Sequence, residues 1–262
     1  MNDIEASKAV LLEVMTVLAN EKDKIVVVGG WVPELAFPNC GHVGSLDVDL
    51  ALDARSLRPM AYETVRNRLV GAGYVQCENP LNRFMRGIGT IEVKVDLITG
   101  EFPGEISGES HAMIQAMPVW KAHGIDLAFS HPIELKVEGA LPGGAINIVA
   151  IRIPSVAAFV CIKAITMNER QKAKDAYDIY FCVSNFVGGI TALAEQFRPL
   201  RNDPLAEEAL QILGEKFRTI NHVGPVWAAQ VATDSAEERE IEQRRAFEMV
   251  NDLLKAMNSR LL

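Results

Sequence analysis

Three carboxylates stand at strand positions in the first hundred residues of this chain. Asp47 and Asp49 are spaced two apart in SLDVDL, and Asp96 interrupts the apolar segment VKVDLITG. Because alternate residues of a strand share a face, Asp47 and Asp49 point the same way, about 7 Å apart. Like charges at that distance repel unless a cation lies between them. The pattern therefore predicts a cation site, with Mg²⁺ or Mn²⁺ as the hard cation that prefers oxygen ligands.

Two glycines precede these acids. Gly29 and Gly30 follow the apolar run IVVV and allow a sharp backbone turn into a short helix. Their N–H groups could approach phosphate oxygens, and Ser45 could donate a further hydrogen bond to phosphate. Taken singly, an Asp-x-Asp pair is usually a solvated strand face and a Gly-Gly pair is usually a turn. Their order along the chain favours a site for phosphate and metal.

The spacing of apolar residues predicts an α/β fold with a mixed sheet in residues 1–152 and a helical domain in residues 153–262. Helices are predicted at 3–20, 31–37, 58–71, 154–167, 172–185, 204–217 and 236–257, and strands at 25–28, 46–52, 74–78, 83–88, 91–98, 133–137 and 145–151. Residues 100–124 are rich in glycine, proline and serine, which predicts a long loop or insertion.

Composition argues against several classes of protein. The 262 residues carry a formal net charge of −8, which disfavours broad, non-specific binding of nucleic acid. No apolar run approaches the ~20 residues of a membrane-spanning helix, and the first residues do not resemble a signal peptide, so no membrane partner is expected. The four cysteines form no Cys-x-x-Cys pair, which predicts reduced thiols in the cytoplasm.

Two blocks of sequence resemble a known superfamily. Gly-Gly, then Ser-x-Asp-x-Asp-Leu, then a later strand Asp resembles the nucleotidyltransferases related to DNA polymerase β, here at Gly29, Gly30, Ser45, Asp47, Asp49, Leu50 and Asp96. The segment IKAITMNERQKAKDAYDIYF resembles the AbiEii/AbiGii-toxin-like branch, at Lys163, Arg170, Lys174, Asp175 and Asp178. The chain departs from that branch at Val43, where those relatives often carry an arginine.

The resemblance implies a metal-dependent transfer of a nucleoside monophosphate from a nucleoside triphosphate to an acceptor. Asp47 and Asp49 would bind both metals, and Asp96 would ligate the catalytic metal and act as, or orient, the base. Lys163 would reach the triphosphate, and Asp175 would lie near the active cleft. From the residues alone, Lys163 is equally well explained as a lysine that snorkels from a helix edge.

Two arginines are further candidates for contacting phosphate or nucleic acid. Arg83 and Arg86 lie three residues apart on one predicted strand, so they project from opposite faces and do not act together.

Several functions remain open on this basis. An active nucleotidyltransferase would use RNA, a protein or a small molecule, in the manner of aminoglycoside nucleotidyltransferases, as its acceptor. A toxin of a toxin–antitoxin pair would have an antitoxin protein as its partner. A catalytically silent nucleotide-binding or protein-interaction module would keep the fold, but the presence of all three acids speaks against it.

Overall fold

The chain forms two compact units. The computed structural model describes residues 1–57, 64–101 and 110–258, and the statements below concern those residues. The first unit comprises Met1–Leu35 and Val43–Pro154, and the second comprises Ala36–His42 with the residues from Ser155 onward. The division at 154/155 lies two residues beyond the predicted one at 152/153, and the early segment Ala36–His42 belongs to the second unit.

The first unit contains both helices and strands. Its helices are α1 (Asp3–Val17), α2 (Trp31–Ala36, of which the last residue belongs to the second unit) and α3 (Val65–Gly71). Its strands are β1 (Ile25–Val28), β2 (Val48–Leu52), β3 (Val75–Gln76), β4 (Arg83–Ile88), β5 (Ile91–Thr99), β6 (His111–Ile114), β7 (Met117–Lys121), β8 (Ile133–Ala140) and β9 (Ile146–Ile153). Ala19–Lys24 and Ile125–Phe129 are short 3-10 helices.

A mixed sheet is the centre of the first unit. Its strands are hydrogen-bonded in the order β1–β2–β5–β4–β3, with β7 beside the end of β5 and β6 beside β7. β5 runs parallel to β2 on one side and antiparallel to β4 on the other. Along β5, Val93, Val95 and Leu97 are buried, whereas Lys94 and Asp96 alternate with them and project from the opposite face. Polar side chains of the central strands therefore share one face of the sheet.

Helix α1 lies on the other face. Its first turn is closed by a capping box, in which the Asn2 side chain accepts from the Glu5 N–H and the Glu5 carboxylate accepts from the Asn2 N–H. Further along the helix, Glu13 accepts two hydrogen bonds from Arg86 of β4. Since Arg86 projects toward α1, Arg83 projects away from it, as predicted from their spacing.

The second unit is helical. Its helices are α4 (Val156–Arg170), α5 (Ala173–Asn185), α6 (Gly189–Gln196), α7 (Pro204–Lys216), α8 (Val223–Ala232) and α9 (Ala236–Asn258). Ser155 begins α4 by accepting a hydrogen bond from the Ala158 N–H. Within the described ranges, none of the helices combines the length and apolar character needed to cross a membrane. The predicted fold class, a mixed α/β part followed by a helical part, is confirmed.

Some predicted elements differ from those observed. The strand predicted at 46–52 begins at Val48, so Asp47 lies in the bend that precedes β2. The loop predicted at 100–124 is wrong for residues 111–121, which form β6 and β7. Ala112, Ile114 and Val119 are buried there, and this alternation was obscured by the glycine and proline nearby. Residues 58–63 of the predicted helix and 102–109 of the predicted loop lie outside the described residues.

Helices α6 and α8 were not predicted from the sequence. Both carry glycine at the start, at Gly188 and Gly189 for α6 and at Gly224 for α8, and α8 also has Pro225 in its first turn. Glycine and proline interrupt a helical pattern in sequence, but both are tolerated where a helix begins.

Candidate functional site

Gly29 follows β1 and lies directly against Asp49 of β2. Its φ of +69° falls in the left-handed region, which glycine adopts readily. A Cβ at this position would stand 2.0 Å from Asp49 Oδ2 and 2.8 Å from Asp49 Cγ. Position 29 therefore requires glycine for two reasons: its left-handed backbone conformation, and the space that the Asp49 carboxylate occupies.

Asp49 and Asp96 lie opposite each other on neighbouring strands. Their Cα atoms are partners in the parallel pairing of β2 with β5, so the two side chains project from the same face. Both residues are half-buried, while Leu50 and Leu97, which follow them in the two strands, are fully buried on the other face. The prediction that these two acids share a sheet face is confirmed.

Arg83 of β4 binds Asp96 through two hydrogen bonds. Its Nε and Nη2 atoms donate to Oδ1 and Oδ2 of Asp96 at 2.7 and 2.8 Å. The hydrogen bond with Asp96 raises the pKa of the Arg83 guanidinium above its ordinary value despite partial burial, and the negative charges of Asp96 and Asp47 add to the increase. The guanidinium is thus held among at least two of the three predicted acids.

Asp47 faces a second cation, Lys94 of β5. The distance between Lys94 Nζ and Asp47 Oδ1 is 3.7 Å, and both side chains are close to half exposed. An exposed pair at this distance contributes little to stability. Lys94 was not identified from the sequence, although its position two residues before Asp96 on a strand places both on one face.

This face suits a cation chemically, but Asp47 and Asp96 already lie beside positively charged side chains. Among the described residues there is no group of three His, Cys, Asp or Glu side chains placed to hold a metal ion. In the structure Arg83 takes both oxygens of Asp96, and Lys94 faces Asp47. Carboxylates are ligands that Mg²⁺ and Mn²⁺ accept, and these two cations ordinarily need only one or two from the protein.

Ser45 and Gly30, the other residues predicted to contact phosphate, belong to the same unit. Ser45 Oγ donates to the backbone carbonyl of Asp47 at 3.1 Å and so stabilises the bend before β2. Gly30 precedes the buried Trp31, whose indole N–H donates to Ser7 Oγ at 3.0 Å. That bond fixes the start of α2 beside the glycines. Contact of Ser45 or Gly30 with phosphate stays a prediction.

Lys163 and Asp175 lie together in a buried cluster of the helical unit. Lys163 Nζ is 2.8 Å from Asp175 Oδ1 and 2.7 Å from Asp178 Oδ2, and its side chain is only 4% exposed. Burial alone would lower the pKa of Lys163, but the charges of Asp178 and Asp175 raise it above its ordinary value. Lys163 therefore joins α4 to α5, and its contact with a triphosphate stays a prediction.

Further side chains complete this cluster. Arg170 donates to both oxygens of Asp175 at 2.9 and 2.7 Å, and Lys174 lies 3.2 Å from Asp178 Oδ1. His42 Nε2 lies 3.0 Å from the same Asp178 oxygen, with its side chain fully buried. Although burial opposes it, the charge of Lys163 and the bond from His42 bring the pKa of Asp178 well below its ordinary value.

The burial of the His42 side chain was not predicted from the sequence. It stands between Gly41 and Val43 in a loop, where no periodic pattern marks burial. In the structure its ring stacks on Tyr177 and meets Phe181 edge-on, with centroid distances of 5.4 and 4.9 Å.

Comparison with known proteins finds little that resembles this chain. No protein-family model matches it, and no curated protein matches it. Among solved structures it is similar to the antibiotic-resistance factor ANT(2'')-Ia, whose solution structure was described in terms of substrate-regulated conformation dynamics. The likeness covers 74% of this chain and 92% of that one at 15% identity, with a TM-score of 0.35. A likeness at that level supports no assignment of family or activity.

Proposed function

We propose that this chain is a metal-dependent nucleotidyltransferase that moves a nucleoside monophosphate from a nucleoside triphosphate to an acceptor. One observation carries the proposal, namely the pairing of Asp49 with Asp96 on parallel strands while Gly29 leaves room for the Asp49 carboxylate. Two acids side by side in a sheet repel each other unless positive charge lies beside them, and a bound metal would add to the charge that Arg83 supplies at Asp96.

The acids have distinct roles in this proposal. Asp47 and Asp49 would hold Mg²⁺ or Mn²⁺, and Asp96 would join them as a ligand and orient the acceptor hydroxyl or take its proton. When bound, the metal would supply positive charge to the phosphates and make the attacking oxygen a stronger nucleophile. Gly29 keeps the Asp49 carboxylate in place by leaving its space open.

Phosphate charge would be balanced by cations of the same face. Arg83 and Lys94 both project beside the acids, and the planar guanidinium of Arg83 suits two phosphate oxygens. The backbone of Gly29 and Gly30 would add N–H donors, and Ser45 a hydroxyl.

The helical unit has its own proposed contributions. Lys163 is proposed to contact the triphosphate, for which its ammonium would have to leave Asp175 and Asp178, and Asp175 is proposed to lie near the reacting groups. The acceptor is proposed to be RNA, a protein or a small molecule. A toxin that is held by an antitoxin protein in the cytoplasm is one version of the same activity.

One observation favours a second candidate, a catalytically silent module that keeps the fold. Both oxygens of Asp96 are engaged by Arg83, so the third acid is neutralised in the structure. In such a module the Arg83–Asp96 pair would be permanent and the site would not take a metal. The two candidates differ in what nucleotide and metal do to the protein.

Thermal unfolding with each of the four nucleoside triphosphates, with and without Mg²⁺, separates the two candidates. A ligand at 100 times its dissociation constant stabilises the folded state by about 2.7 kcal/mol. We expect such a shift with at least one nucleotide, dependent on Mg²⁺, together with transfer of label from the α-phosphate-labelled nucleotide to an acceptor in lysate.

Asp49→Asn tests the site directly. It should abolish both the shift and the transfer without changing the circular dichroism spectrum. Asp252→Asn is the matched control, since Asp252 lies exposed on α9 and pairs only one helical turn away with Lys255. Wild-type protein that shows neither a metal-dependent shift nor transfer would leave the silent module as the better explanation.

A further inference from the structure

Arg83 engages Asp96 as completely as one side chain can. Two N–H groups of one guanidinium donate to the two carboxylate oxygens, at 2.7 and 2.8 Å. Charge-assisted pairs with this geometry are among the stronger hydrogen-bonded contacts in proteins. A divalent cation that approaches Asp96 therefore meets a resident positive charge on the oxygens that it needs.

The surroundings of the pair allow Arg83 to leave. Its side chain is 34% exposed and that of Asp96 is 17% exposed, so a released guanidinium would be solvated rather than stranded in the core. β4 and β5 are also held by backbone pairing from Arg83 opposite Asp96 to Ile88 opposite Ile91. The ion pair thus joins strands that the backbone already joins.

Arg86 shows how an arginine of the same strand behaves in a structural pair. It contacts Glu13 with the same two-bond geometry, at 2.7 and 2.9 Å. Its guanidinium also lies over the Tyr74 ring, 5.4 Å from the centroid, and the Tyr74 hydroxyl donates to Glu13 at 2.9 Å. That pair ties α1 to strand β4 of the sheet.

We propose that Arg83 is a placeholder cation, which occupies Asp96 in the metal-free protein and must release it before Asp96 can become a metal ligand. The inference rests on the metal-dependent transferase proposed above and adds a residue that sets the affinity for metal. Arg83 is in this role a positioning residue that acts through Asp96. The competing explanation is a cross-strand pair that only stabilises the sheet.

Binding of Mn²⁺ to the full-length, nucleotide-free protein tests the proposal, with the free ion followed by electron paramagnetic resonance. Arg83→Gln should bind Mn²⁺ about three- to tenfold more tightly than the wild type, because a partly exposed, charge-assisted competitor is lost. Arg83→Lys keeps a charge but loses the planar fork, so its affinity should lie between the two. Arg86→Gln is the matched control and should bind as the wild type does. Circular dichroism establishes that each variant is folded.

The outcomes distinguish failure of this inference from failure of the proposed function. If wild-type binding is lost in Asp49→Asn but Arg83→Gln binds no more tightly than the wild type, the placeholder role is overturned while the metal site stands. If neither the wild type nor Arg83→Gln binds Mn²⁺, both proposals are overturned. An equal gain in Arg86→Gln also overturns the placeholder role, because it would reflect net charge rather than release of Asp96.

Discussion

Replacing Gly29 with alanine would place a methyl group where the Asp49 carboxylate now lies. The new Cβ would stand 2.0 Å from Oδ2, 2.8 Å from Cγ and 3.0 Å from Cβ of Asp49. The backbone at position 29 has φ of +69°, so alanine would also adopt an unfavourable left-handed conformation. We expect the carboxylate to be pushed from its position, with loss of metal-dependent nucleotide binding.

The loss of folding free energy caused by Gly29→Ala has a conformational part and a steric part. A left-handed conformation costs a non-glycine residue about 1–2 kcal/mol, and overpacking of a filled site adds about 1–3 kcal/mol. Gly89→Ala is the matched control, because Gly89 lies in the turn between β4 and β5 with φ of +60°, and a Cβ added there would meet nothing within 4 Å. Gly29→Ala should therefore lower the free energy of unfolding by about 2–5 kcal/mol and Gly89→Ala by about 1–2 kcal/mol.

Urea denaturation of the two variants gives this difference, and a double-mutant cycle assigns it. In an Asp49→Ala background the atoms at 2.0 and 2.8 Å are gone, so Gly29→Ala should cost less there than in the wild type. Equal losses of stability for Gly29→Ala and Gly89→Ala, together with unchanged nucleotide binding by Gly29→Ala, would refute the argument that the glycine makes room for Asp49.

The buried cluster of the helical unit carries two more predictions. Lys163→Met should lower the free energy of unfolding, measured by chemical denaturation, by about 3–5 kcal/mol, because it leaves two buried carboxylates without their shared cation. Lys255→Met is the control: Lys255 is 76% exposed, so this change should alter the free energy of unfolding by less than about 1 kcal/mol. The pKa of Asp178 is depressed in the folded state, so ionised Asp178 stabilises the fold fully above pH 3.8, and this stabilisation is lost as pH falls through the lower pKa of the folded state. The melting temperature of Asp178→Asn should therefore depend less on pH in the acid range than that of the wild type. A steep loss with Lys255→Met, or identical acid profiles for Asp178→Asn and the wild type, would contradict these assignments.

Strands with an uninterrupted apolar signal could be predicted closely from the sequence. β1 was predicted at 25–28 and is observed at Ile25–Val28, because four β-branched residues are bounded by Lys24 and Gly29. β6 and β7 were not predicted, since their short alternation lies beside glycine and proline that are typical of loops. The local composition of that segment indicates a loop, but its pairing with β5 makes residues 117–121 a strand.

The sequence predicts on which face of the sheet the candidate site residues lie, but not which side chains they contact. The period of two in a strand places Asp49 and Asp96 on the polar side of their strands. It does not specify that they lie exactly opposite, because register depends on how two distant segments pair. Nor does it reveal that Arg83 holds Asp96, since a long side chain can reach several positions on the neighbouring strand.

Positive charge is concentrated around the acids of the helical cluster. Three cations, Lys163, Arg170 and Lys174, surround the two carboxylates of Asp175 and Asp178.

An anion drawn to the helical unit would meet the accessible cations of its cluster first. Arg170 is 47% exposed and Lys174 is 37% exposed, whereas Lys163 is 4% exposed and already lies between two acids. Moving Lys163 toward a phosphate would remove the cation that Asp175 and Asp178 share, which is unfavourable by several kcal/mol, about the cost of breaking a buried ion pair. The proposed contact of Lys163 with a triphosphate would therefore carry this cost, whereas Arg170 and Lys174 are exposed enough to meet an anion while Lys163 keeps its place between α4 and α5.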